Sequence, residues 1–121
     1  MIRDLAAAVA DALADEGLRV ALRAGDVTPP VVFVQLGAVD DAGAVLAGGL
    51  IVTFWCHYIP VRGVDNLEGD ADSLDAMFRA LRPLAMTGLA AGRTSVTLTN
   101  ETYPCWRADL AALALEPSEV R

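Results

Sequence analysis

Twenty consecutive residues, Ala42–Val61, carry no charge. A run of that length either crosses a bilayer as a helix or supplies the buried middle of a sheet. Three glycines (Gly43, Gly48 and Gly49), the polar Thr53 and His57, and the β-branched run Ile51-Val52-Thr53 all oppose a helix. We therefore read Leu50–Ile59 as a strand. Alternation puts Leu50, Val52, Phe54, Cys56 and Tyr58 on one face and Ile51, Thr53, Trp55, His57 and Ile59 on the other. Pro60 ends it.

A strand this apolar needs partners, and the rest of the chain offers them. Ile2, Leu5, Ala6, Val9, Ala12 and Leu13 recur at helical spacing, which predicts an amphipathic helix over Ile2–Glu16 stopped by Gly17. Leu18–Leu22 alternates as a short strand, with Leu18, Val20 and Leu22 on one side. Pro29-Pro30 confines the next point to a turn or sheet edge, and Val31–Leu36 reads as a strand. Asp40, Asp41 and Gly43 mark a hairpin tip. Val64–Asp72 reads as an acidic loop, with Asp70, Asp72 or Ser73 capping a helix whose stripe is Leu74, Met77, Phe78, Leu81, Leu84 and Ala85. Pro83 disturbs its last turn. Thr94–Thr99 reads as a strand with Val96 and Leu98 inward, Asn100-Glu101 as a turn, and Tyr103–Leu110 as a last strand kinked by Pro104. The tail from Glu116 reads as mobile. The expected fold is α+β: one domain over residues 1–121, with a single mostly antiparallel sheet of four to five strands and two amphipathic helices packed on one face.

Charge narrows the partners. The chain has nine arginines, no lysine and a net charge of -7. The arginines stand singly from Arg3 to Arg121, so no basic stripe suits a phosphate backbone, and nucleic-acid recognition is not expected. Asp4, Asp11, Asp15 and Glu16 interrupt the apolar residues of the first helix, which does not read as a signal peptide and favours a cytosolic setting. Cys56 and Cys105 are then read as buried small hydrophobes, not a disulfide, and their spacing suits no zinc site.

Catalytic patterns are missing. His57 is the single histidine and has no Ser, Cys or Asp at a telling spacing, so it reads as a packed strand residue. Asp65, Glu68, Asp70, Asp72 and Asp75 form the densest acidic cluster, but Leu67 and Gly69 stand where a calcium loop needs ligands. Gly48-Gly49 lacks the ending of a P-loop, and no serine lies in a nucleophile elbow. No cofactor or metal is expected. The rival reading is a small cytosolic enzyme or ligand-binding domain with its site near His57 or the acidic stretch 65–75. Trp55, Trp106, Tyr58 and Tyr103 suit a core or a subunit interface, and with both tryptophans on strands at least one should belong to the core.

Four features together carry a resemblance: the opening helix Ile2–Glu16; Pro29-Pro30 entering Val31-Val32-Phe33-Val34; the run from Trp55 through an acidic loop and helix to Pro83; and the closing Tyr103-Pro104-Cys105-Trp106-Arg107. In this order, over roughly the whole chain, it resembles the tail-terminator (tail-completion or neck) proteins of long-tailed bacteriophages, the lambda-like minor-tail family among them. The resemblance implies a structural virion subunit, not an enzyme. It would be made in the host cytoplasm and form a ring of identical copies, commonly six, that caps the tail tube and joins it to the head connector or head-completion protein. Partners would be the chain itself, the tube protein and the connector. The expected contact elements are the loop Asp40–Gly49, with Asp40 and Asp41, and the acidic loop Val64–Asp72, with Asp65, Glu68, Asp70 and Asp72. Head-to-tail contacts close rings, whereas isologous contacts stop at dimers.

Overall fold

The computed structural model describes residues 1–43, 48–61 and 66–115. Its elements in chain order are α1 (Ile2–Asp15), β1 (Val20–Ala21), β2 (Val31–Asp41), β3 (Gly49–Ile59), α2 (Leu67–Leu81), β4 (Ala91–Leu98) and β5 (Glu101–Leu115), with short 3-10 turns at Ala24–Asp26 and Arg82–Leu84. One five-stranded sheet runs β1-β2-β3-β5-β4. The pairs β2–β3, β3–β5 and β4–β5 are antiparallel, and β1–β2 is parallel. The expected α+β architecture is present, with a mixed sheet.

α1 ends as its sequence dictates. Gly17 sits at φ +83°, a left-handed conformation that glycine adopts without penalty. Its N–H donates to Ala14 O at 2.9 Å, and Leu18 N–H reaches back to Leu13 O at 3.3 Å. This is the Schellman pattern, with Leu18 returning to the cluster that holds Leu13. β1 is shorter than the predicted Leu18–Leu22: only Val20 and Ala21 pair, and Leu22 is 52% exposed. Because β1 is so short, the connection through residues 22–30 can carry the chain back to run β2 in the same direction.

β3 matches its prediction, gaining only Gly49, and the uncharged segment is a strand. No helix among the described residues is long and apolar enough to cross a membrane. β2 runs five residues past its predicted end. A bulge between Leu36 and Ala38 shifts its register, and the strand then continues to Asp41. Asp40 and Asp41 are therefore strand residues opposite Ile51 and Leu50, not a loop tip. The turn begins later, where the Asp41 carboxylate accepts from Gly43 N–H at 2.8 Å.

α2 also begins earlier than expected. Asn66 is its cap, the side chain accepting from Gly69 N–H at 3.1 Å. A Cβ at Gly69 would stand 2.4 Å from Asn66 Nδ2, so glycine leaves room for this cap. Glu68, Asp70 and Asp72 thus belong to the helix, not to an acidic loop, and acids suit its positive end. Asp65 and the tail from Glu116 lie outside the described residues. The β4–β5 turn is Thr99-Asn100, one residue before the predicted pair; φ values of +45° and +66° make it the type I′ turn favoured between twisted strands. β5 runs from Glu101 to Leu115, and Pro104 lies where it pairs with β4 alone.

Two apolar clusters sit on opposite sides of the sheet. The larger joins Val9 and Leu13 of α1 and Met77, Ala80 and Leu81 of α2 to Val32, Val34, Val52, Phe54, Cys56, Tyr58, Ala108, Leu110, Ala112 and Ala114 of the strands. Alanines on β5 let the helices approach closely. The smaller, on the other face, gathers Ala21, Val31, Phe33, Ile59, Leu98 and Cys105, with Ala24, Val27, Val96 and Tyr103 against them. It covers one end of that face. The far end, past the row of His57, has no helix over it among the described residues.

Candidate functional site

His57 lies at the border between the covered and open ends of the second face. It is 3% exposed. Its Nε2 is 3.2 Å from Gln35 Oε1, its Nδ1 is 3.7 Å from Cys105 Sγ, and its ring stacks on Phe33 at 5.8 Å. One tautomer satisfies all of these groups: Nε2–H donates to Gln35, and the Cys105 thiol donates to Nδ1. Burial above all, and then the Arg107 cation, push the His57 pKa down to about 4 against an opposing pull from Asp109. Burial pushes the Cys105 thiol up to about 11 despite Arg107. At neutral pH the pair is a neutral imidazole and a thiol. Nucleophilic cysteine chemistry uses the opposite state, a thiolate beside an imidazolium.

Cys56 lies in the helix-side cluster, whereas Cys105 lies on the other side of the sheet. Both are free, as the sequence implied, and burial followed by the Asp109 charge pushes Cys56 up to about 12. Neither thiol should react with a disulfide reagent in the folded protein at pH 8, and both should react in denaturant. Counting modified thiols with and without denaturant checks this; rapid labelling of Cys105 in the native state would contradict its placement.

The acidic residues do not converge. Asp40 and Asp41 end β2 on the rows of Ile51 and Leu50, while Asp70 stands with Leu67 beside Arg93 and Trp106. Along β5 these rows, Leu113 and Trp106, lie roughly 23 Å apart at strand spacing. No cluster of three or more His, Cys, Asp or Glu side chains suited to a metal occurs among the described residues. No family model matches the chain, and no curated protein matches it.

The open end of the second face holds the most developed surface feature, which the sequence reading missed. Trp55 lies across the β2 bulge: a Cβ at Gly37 would stand 2.5 Å from the indole Nε1, so glycine makes room for the ring. The Arg107 guanidinium stacks over the same indole at 4.9 Å, and its Nε forms an ion pair with Asp109 Oδ1 at 3.0 Å. Beside them is an open groove of about 540 Å³, lined among others by Thr53, Thr94, Arg93, Arg107 and Asp109. Arg93 in turn lies over Trp106 at 5.5 Å. A signal was available. Arg107 and Asp109 are two apart on a strand and so share a face, and register places that face beside Trp55.

Proposed function

We propose that this protein is a structural subunit of a long-tailed bacteriophage virion, of the tail-terminator type, which assembles with copies of itself into a ring that caps the tail tube and meets the head connector. The supporting observation is the outer edge of β2. β1 pairs with it only at Val32 and Phe33. From Val34 to Asp41 no other strand pairs with this edge among the described residues, and Leu36 and Val39 stand 52% and 42% exposed along it. An open strand edge carrying exposed aliphatic side chains is a template for another chain. The interior chemistry agrees with a surface role: His57 and both cysteines are closed to solvent, and the α2 acids are spread along a helix.

Electron microscopy of purified chain mixed with tubes of the same virus's tail protein tests the reading. A ring is expected at one tube end only. Tubes whose ends stay bare at saturating chain would refute it.

A further inference from the structure

The two edges of the sheet are open at opposite ends. β1 covers β2 at Val32 and Phe33, so the free part of that edge is residues 34–41. Across the sheet, no strand pairs with the outer edge of β4 among the described residues. Ala91 lies on the row of Val34, through Ala108 and Cys56, and the rest of β4 extends away from Asp41. A second copy standing level with the first would therefore bring its β4 against β1. Only a copy stepped along the strands meets the free part of β2. The edges also differ in charge: β2 carries two acids and no base, whereas β4 carries Arg93 and no acid. Two β2 edges would gather four carboxylates with no cation among them, and a β4 edge supplies one.

Direction and face agree. β2, β3, β5 and β4 alternate in direction, so a copy in the same orientation lays its β4 antiparallel to β2. Arg93 lies over Trp106, which packs against the helix-side cluster. Val39 and Asp41 pair with Val52 and Leu50 of that same cluster and its border. Setting Arg93 opposite Asp41 then sets Thr94 opposite Asp40, Ser95 opposite Val39 and Val96 opposite Ala38, each pair on one face. Asp41 gives only Oδ1 to Gly43, which leaves its other oxygen for the guanidinium. Resting on the assembly reading above, we infer that residues 38–41 of β2 pair antiparallel with residues 93–96 of β4 in a second copy, so that one sheet continues from subunit to subunit. The bulge at Gly37 ends the match. Arg93 shares its row with Tyr58 and Asp41 shares its row with Leu50, eight residues along β3. Each copy thus steps roughly 26 Å along the strands for roughly 24 Å of sheet width. That leans the strands by roughly 45°, the tilt at which sheets close into rings. Unlike edges in contact also propagate head to tail.

Sedimentation velocity on the full chain, over a concentration series at low and high ionic strength, tests this. The wild type should associate at low salt and less so at high salt. Asp41→Arg and Arg93→Glu should each weaken association by about tenfold or more, since each sets like charges opposite one another. Both side chains are exposed in the single subunit. Mixed in equal amounts, the two variants should associate again, because every contact between unlike copies pairs opposite charges; misfolding would not be rescued this way. Cross-linking reads the register. Under oxidation Val39→Cys and Ser95→Cys should join to each other and neither to itself, the native thiols being buried. A wild type that stays monomeric at low salt, single variants that associate like it, a mixture that does not recover, or Val39→Cys joined to itself would overturn the contact. Rings at tube ends that neither charge variant disturbs would overturn the contact and leave the ring reading standing. Association with this charge dependence and register beside bare tube ends would keep the contact and overturn the tail-terminator reading.

Discussion

Phe54→Ala should lower the stability of the fold by about 3–5 kcal/mol, a large share of the roughly 5–15 kcal/mol that holds a domain of this kind together. Phe54 is 2% exposed and heads the fully buried side chains by size. It sits in the middle of the central strand, on the face that α1 and α2 cover, in one cluster with Val9, Leu13, Met77, Leu81 and Leu110. Truncation removes the ring's transfer energy and leaves a cavity that helices already packed on small alanines cannot close. Urea denaturation of the two proteins gives the difference directly. A loss below about 1 kcal/mol would mean that the helices do not lie on this face of β3.

Acid should unfold the protein earlier than its carboxylates alone require. The pKa of His57 falls from 6.5 to about 4 on folding, chiefly through burial, with Arg107 adding to the shift and Asp109 opposing it. The folded chain therefore keeps the imidazole neutral where the unfolded chain takes up a proton. Above pH 6.5 neither state is charged there and the contribution to stability is whole. As pH falls from 6.5 toward 4 it is lost, by about 3 kcal/mol in all. His57 is the chain's only histidine, so no other imidazole titrates in that window. Stability of the wild type and of His57→Gln, measured by urea from pH 7.5 to 4.5, separates this effect from the carboxylates, which titrate in both. The wild type should lose more, with most of the difference appearing below pH 6. Parallel curves would show that His57 is not shielded as the structure places it.

Both results rest on β3, which was the most legible part of the sequence. Its alternation separated the strand's two faces, and Phe54, Cys56 and Tyr58 are buried together on the one that the helices cover. α1 and its glycine stop were equally plain, because a helical stripe and a C-terminal glycine are local signals. The misplaced boundaries each have a local cause. Asn66 caps α2 in place of Asp70, Asp72 or Ser73, and so turns the expected loop into helix. The bulge at Gly37 kept β2 running to Asp41. The groove beside Arg107 was harder to read for a different reason. It joins Thr53, Thr94 and Arg107 from three strands, and only the order β3-β5-β4 makes them neighbours. Register across non-sequential strands is set by tertiary packing and is not written in any local run of residues.

β3 and β5 supply residues to both clusters: Phe54 and Leu110 to the helix side, Ile59 and Cys105 to the other. The same backbone is thus a shared wall between two interiors. Neither side can loosen while the other stays packed, since freeing one row of side chains displaces the alternate row. The domain should therefore melt in one all-or-none step. A partner arriving at the open end of the second face would meet a plate braced from behind, with little ordering left to do on contact.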